Sequence, residues 1–175
     1  TEYSSTTSRA VIQHDLSSDS NVYASLSEGF KAGGYATYEC TEPYDPEEVT
    51  SLEFGFKGSL SENTSLNASL FRYDYTDFQV LQVVGIQTVT RNAGDATVNG
   101  LEIEALSNVN DSLSINYGLT LLDATYGEFL NTNGIQPQLG EQQLDGNYLT
   151  NAPKVSINLG LNYTNPMASG ASLTY

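Results

Sequence analysis

Apolar and polar residues alternate with a period of two along most of this chain. In residues 52–60 one face carries Leu52, Phe54, Phe56, Gly58 and Leu60, and the other Glu53, Gly55, Lys57 and Ser59. In residues 113–121 Leu113, Ile115, Tyr117, Leu119 and Leu121 oppose Ser114, Asn116, Gly118 and Thr120. Residues 155–163 repeat the pattern, with Val155, Ile157, Leu159, Leu161 and Tyr163 against Ser156, Asn158, Gly160 and Asn162. Such alternation marks β-strands with one apolar and one polar face. It predicts strands near residues 6–16, 21–31, 49–61, 64–83, 87–106, 112–126, 150–164 and 171–175. The fold class is therefore all-β.

The connections between these strands alternate in length. Short turns are expected at residues 17–20, 61–63, 109–111 and around 165–170, and long connections at 32–48 and 126–147. Tight turns join antiparallel strands into hairpins. Short turns at one end and long loops at the other describe an antiparallel outer-membrane barrel. The strands also run long: residues 64–83 would extend about 65 Å at ~3.3 Å per residue, beyond a bilayer core of ~30 Å.

Composition separates a membrane wall from a soluble sandwich. Of the 175 residues only 15% are charged, with 6 Lys+Arg against 21 Asp+Glu and a net charge of −15. A sandwich spends Lys, Glu and Arg on its wet face, whereas the polar face here is Ser, Asn, Gly and Thr with isolated charges, as in a barrel lumen. Many acids fall in turns and loops, among them Asp15, Asp19, Glu39, Glu42, Asp45, Glu47, Glu48, Asp111, Glu128, Glu141 and Asp145. The negative charge excludes nucleic acid, which needs clustered Lys and Arg. The aromatic and aliphatic content argues against disorder. A single cysteine, Cys40, excludes an internal disulfide. No apolar run approaches the ~18 residues of a membrane helix. Thr1-Glu2-Tyr3 begins no signal peptide, which leaves an exported parent protein open.

Six segments resemble, in order and spacing, the TonB-dependent outer-membrane receptors. Residues 22–35 (VYASLSEGFKAGGY) are similar to the family's "Y-a-s-x-s-x-G-F-r-x-G-G" strand. Tyr44-Asp45-Pro46-Glu47 resembles its "f-x-P-E" element, and residues 52–58 its "y-E-x-G-x-K" strand. Residues 66–79 (LNASLFRYDYTDFQ) resemble "l-n-x-a-x-F-x-x-d-Y-x-d-x-Q". Residues 92–104 (NAGDATVNGLEIE) resemble "N-a-G-x-a-x-x-x-G-x-E-x-E", and residues 151–154 the "x-a-P-k" start of a late strand. The resemblance covers residues 8–175.

The resemblance implies an antiparallel transmembrane β-barrel segment and active uptake rather than catalysis. Such receptors have an N-terminal plug, a TonB box and a barrel of roughly 22 strands. Residues 1–175 are therefore expected to be part of one barrel domain, an incomplete barrel with the plug, TonB box and final strands absent. An open sheet leaves unpaired edges that lipid does not tolerate, so the piece alone is expected neither to insert nor to transport. The expected partners are outer-membrane lipid, the plug of the same parent chain, TonB through that plug, and a small substrate, ferric siderophore foremost. Haem, cobalamin and glycan stay open as cargo. No cofactor and no nucleic acid are implied, and the location is the outer membrane of a Gram-negative bacterium. The family's outer loops bind substrate, which puts Tyr35, Tyr38, Tyr44, Phe129, Asn131, Gln136 and Gln138, in loops 33–48 and 127–147, forward as contacts.

Other constellations read as structure. Asp15-x-Ser17-x-Asp19-x-Asn21 resembles the start of a calcium loop but has Ser20 and Leu26 where Gly and Glu belong, so a polar turn is expected. Glu102 and Glu104 share a face about 7 Å apart by strand rise, a spacing open to acid/base work, and read as lumen wall against the plug. His14 is the only histidine, which leaves no triad and no His cluster. Cys40 with Glu39, Glu42 and Asp45 is set aside as an exposed acidic loop rather than a metal site. The N-x-S/T triplets at Asn63, Asn67, Asn110 and Asn162 follow from composition. Tyr23, Tyr73, Tyr75, Tyr117, Tyr126, Tyr148 and Tyr163 are expected to form the aromatic girdles of the two membrane interfaces. Two other readings remain at this point: a small eight-strand barrel of structural or adhesive role, and a secreted β-sandwich module.

Overall fold

The computed structural model describes residues 3–36, 39–84, 87–132, 136–166 and 172–174. The strands are β1 (Arg9–Asp15), β2 (Ser20–Lys31), β3 (Gly34–Ala36), β4 (Glu39–Tyr44), β5 (Glu47–Ser61), β6 (Thr64–Thr76), β7 (Gln79–Val84), β8 (Gln87–Asn92), β9 (Ala96–Asn110), β10 (Leu113–Tyr126), β11 (Leu130–Thr132), β12 (Glu141–Gln143), β13 (Val155–Pro166) and β14 (Ser172–Thr174). One 3-10 turn, Pro137–Leu139, is the only helical piece among the described residues. No helix is long and apolar enough to cross a membrane, which says nothing of crossing by strands.

Eight strands form one open antiparallel sheet in the order β1-β2-β5-β6-β9-β10-β13-β14. Pairs β3–β4, β7–β8 and β11–β12 are separate two-stranded ribbons inserted between successive sheet strands. All three ribbons stand at one end of the sheet, here the outer end, and the tight turns close the other. In the first turn Leu16 and Ser17 donate backbone N–H groups to the Ser20 carbonyl.

The register assembles the apolar faces into one band. Partners in one row are Ala24, Phe54, Leu70, Leu101, Leu121 and Val155. The next row inward is Val22, Phe56, Ala68, Ile103, Leu119 and Ile157. No second layer covers this face among the described residues: Leu70 is 59% exposed, Leu159 68% and Ile157 73%. A sandwich would bury the same side chains against a facing sheet. From residue 155 to 163 the band on β13 runs about 26 Å along the strand at ~3.3 Å per residue. A tilt of ~40° reduces that to about 20 Å of height, near the roughly 25 Å lipid-facing band of outer-membrane barrels.

The outer margin of the band is sharp. Two residues beyond Leu70, Leu101 and Leu121 the same face carries Arg72, Asn99 and Asp123, which are register partners. The row beyond is Glu28, Thr50, Asp74, Thr97 and Thr125. On β2 and β5 apolar residues persist one row higher, at Leu26 and Leu52, while on β9, β10 and β13 they reach lower, to Val109, Leu113 and Tyr163. A level boundary crosses the rows diagonally in this way when strands tilt against the membrane normal.

The structure corrects two sequence expectations. Residues 64–83 and 87–106 are not two continuous strands. Asp77 adopts a left-handed φ of 52° and ends β6, and residues 93–95 break the returning strand opposite it. Strand-forming residues continue past the break into a ribbon that leaves the sheet, so a third long outer connection exists at 77–95. The tyrosines also do not form two girdles. Tyr23, Tyr73, Tyr75 and Tyr126 have the inward parity of their strands; Tyr117 and Tyr163 alone share the outer face of the band, and Tyr148 bridges Thr125 at the rim.

Candidate functional site

The inner face is polar and studded with glycines that receive large partners. A Cβ at Gly55 would collide with the Tyr23 ring, and one at Gly100 with the Phe71 ring. Tyr23 faces Gly55 in register and Phe71 faces Gly100. Each ring therefore lies over a bare backbone, the cross-strand pairing by which aromatics make up for a glycine's missing side chain. Phe71 in turn stacks on Tyr73 at 4.8 Å.

The inward acids gather on this wall. Glu53, Glu102 and Glu104 line one concavity with Tyr23, Lys57, Asn67 and Ser69, of about 260 Å³. The Tyr23 hydroxyl donates to Glu53, and Lys57 Nζ lies 5.2 Å from the Tyr23 ring centre. Glu102 and Glu104 do share one face, as the strand period requires, and line an open concavity rather than a closed cleft. Below them Asn162 donates to Asn116 across β10 and β13.

The outer end holds the buried apolar side chains of the described residues: Val89, Ala93, Ala96, Ala124 and Phe129. Tyr75, Phe78, Tyr126 and Phe129 form a continuous aromatic chain, with successive ring centres 5.3, 6.3 and 5.1 Å apart. Backbone bonds clamp the ribbon feet. Phe78 N–H donates to Gly94, Ala93 N–H to Phe78, and Gly127 N–H to Asp95. Gly94 is required here, because a Cβ would strike the Glu128 carbonyl.

The expected contact residues divide between two ribbons. Tyr35, on β3, is 48% exposed. Tyr44, at the end of β4, is half-buried and crosses Gly34, whose added Cβ would meet its ring. Tyr38 lies outside the described residues. Asn131, on β11 opposite Gln142, is half-buried with a shielded Oδ1; Gln136 and Gln138 are exposed. Phe129 is 5% exposed and packs on Tyr126, so its ring supports the foot of the third ribbon instead of facing solvent. Sequence reasoning missed the β7–β8 ribbon, although Asn92-Ala93-Gly94-Asp95 is a turn signal.

The remaining candidates are placed as follows. Asp19 accepts the Ser17 hydroxyl at 2.6 Å within the β1–β2 turn. That bond, helped by Ser59, holds its carboxyl below the ordinary range. The side chains of Glu39, Cys40 and Glu42 lie outside the described residues, and Asp45 is tied through its backbone to Asn92. Among the described residues no cluster of three His, Cys, Asp or Glu side chains is arranged to hold a metal. At the rim Arg72 grips Asp74 through two bonds of 2.7 and 2.8 Å, and Thr97 adds a third to Asp74.

Comparison with solved structures gives the same architecture. The ferric yersiniabactin uptake receptor FyuA from Yersinia pestis superposes with a TM-score of 0.72 at 19% identity, covering 95% of this chain and 24% of that one. The ferric preacinetobactin receptor BauA from Acinetobacter baumannii gives 0.65 at 21%, covering 96% and 24%. The copper transporter OprC gives 0.60 at 18%, covering 89% and 24%. The chain thus spans about a quarter of the length of these proteins. A comparison with curated protein sequences finds no match. The family described as TonB dependent receptor-like, beta-barrel matches residues 1–175, and its proteins are transport receptors rather than enzymes. This chain belongs to the TonB-dependent receptor β-barrel family.

Proposed function

We propose that residues 1–175 form part of the wall and mouth of a receptor for energy-coupled uptake of a scarce substrate, a ferric siderophore. Barrels of this family stand in the outer membrane of Gram-negative bacteria. The observation that carries the reading is the division of the sheet into an apolar outer band, a polar inner wall and ribbons gathered at one end. In this reading all 175 residues belong to one barrel domain. Lipid covers the Leu70, Leu101 and Leu121 face, and the plug of the same protein lies against Glu53, Glu102 and Glu104. TonB acts through that plug. Substrate docks on the outer ribbons, at Tyr35, Tyr38, Tyr44, Asn131, Gln136 and Gln138, with Phe129 beneath them.

The cargo assignment is supported by the siderophore receptors FyuA and BauA, while the copper transporter OprC has the same fold with another cargo. The test is growth of a strain lacking the whole gene on single iron sources under iron limitation. Loss of growth on one ferric siderophore, restored by the gene and by excess ferrous salt, is expected. Normal growth on every iron source, with a deficit on cobalamin, copper or a glycan, overturns the assignment.

A further inference from the structure

The feet of two outer ribbons are joined by a pair of amide side chains. Gln79 and Asn92 are register partners at the base of β7–β8. Gln79 Nε2 donates to the carbonyls of Ala32 and Asp45, both at 3.1 Å. Asn92 Oδ1 accepts the Asp45 N–H at 2.7 Å, while its Nδ2 donates to the Asp45 and Asp77 carbonyls at 2.9 and 2.7 Å. The Gln79 N–H donates to Glu47 Oε2 at 2.7 Å, and Lys31 Nζ stands 3.8 Å from the same oxygen. The segments flanking β3–β4 are thus bonded to the base of β7–β8 from both sides of its hairpin, and the backbones of β3 and β4 run beside β8.

We propose that Gln79 and Asn92 are positioning residues that latch the β3–β4 and β7–β8 ribbons into one rigid lid over the mouth. The chemistry is specific to an amide. Asn92 uses one acceptor and two donors at once, and Gln79 uses two donors; a carboxylate of equal size has no donors to offer. A force on either ribbon is then transmitted to the other, so a ligand gripping Tyr35 moves residues 79–92 as well. The inference concerns the mechanics of the mouth and holds whatever the cargo is.

The test is hydrogen exchange in the full-length receptor, comparing the parent with Asn92→Asp and Gln79→Glu. Asn92→Asp keeps the acceptor for Asp45 and loses both donations. Gln79→Glu loses both of its donations but leaves the backbone bond from residue 79 to Glu47. The latch predicts exchange in residues 31–47 and 77–92 together about ten- to hundredfold faster in both variants, with β5 and β6 unchanged. The N–H groups of β3 and β4 are the decisive probes, because neither substitution changes a residue of that ribbon. Acceleration confined to the mutated ribbon, or none in either variant, overturns the proposal. If one variant does not reach the membrane, the other carries the same reading by itself.

Discussion

Leu159 and Asn158 are adjacent in sequence and face opposite sides of the wall, so the pair tests which side is lipid. Leu159 lies midway along the β13 band, between Val155 and Tyr163, and is 68% exposed. Full burial of a leucine side chain is worth about 1.5–3 kcal/mol, so truncating one with two-thirds of its surface handed to lipid costs about 1–2 kcal/mol. Replacing it by arginine is worse, because a charged side chain near the midplane of a barrel's lipid face costs about 2–4 kcal/mol. At 1.4 kcal/mol per factor of ten, that is roughly a 30- to 700-fold loss in the folding equilibrium. Asn158 is exposed on the inner face, beside Gly118, where water solvates a new charge. Asn158→Arg is therefore expected to lie within ~0.5 kcal/mol of the parent, as for surface substitutions elsewhere. The assay is the urea midpoint of the membrane-embedded receptor, followed by heat-modifiable mobility. If Asn158→Arg were the damaging change and Leu159→Arg the neutral one, the faces would be inverted. If Leu159→Arg cost nothing, the band would not meet lipid at all.

Further outcomes follow from other contacts. Tyr23→Phe leaves the half-buried Glu53 carboxylate without its hydroxyl donor and is expected to lower stability by about 1–3 kcal/mol, read from the same urea midpoint. Gly94→Ala forces a Cβ into the Glu128 carbonyl and should make the outer ribbons sensitive to protease in intact cells while the wall stays folded. At the rim, beyond the lipid band, Arg72 holds Asp74 below the ordinary carboxylate range. The contribution of that pair is complete above the unfolded carboxyl value of ~4 and fades as pH falls through the lower folded one. Being exposed, the pair contributes little, so Asp74→Asn should lower the urea midpoint slightly at pH 7 and progressively less as the pH falls below ~4.

The period of two was enough to read the sheet, because every second side chain falls on the same face and the apolar residues keep to one face along residues 52–60, 113–121 and 155–163. It failed at residues 77–95. Residues 79–84 (QVLQVV) form a nearly continuous apolar run that reads as strand without saying which sheet it joins, and nothing in it registers that Asp77 has turned the backbone into the left-handed region. The tyrosines failed for a different reason. Parity places Tyr73 and Tyr75 opposite Leu66 and Leu70, so their inward direction was available from the residues alone. The expectation of a girdle overrode it. Which rings reach solvent was not legible, since Phe129 is buried by Tyr126, a contact between the end of a sheet strand and a loop.

The low charge of the chain and its loose packing have one cause. A soluble domain buries its apolar residues against each other and needs a charged surface to stay in water. Here an apolar face is left open: in the proposed reading lipid covers the row from Ala24 to Val155, and charge there would carry the cost worked out for Leu159. The buried side chains that do exist, Val89, Ala93, Ala96, Ala124 and Phe129, lie at the outer end, where lipid no longer supplies apolar contact. The wall is therefore held by its backbone ladder and the membrane, and the mouth by a small core of its own. Two separable sources of stability follow. Thinning the bilayer or exchanging it for detergent should loosen the residues around Leu70 and Leu159 before those around Phe129, and substitution at Gly94 should do the reverse. Hydrogen exchange that slowed or quickened in both regions together under either change would show that wall and mouth share one core.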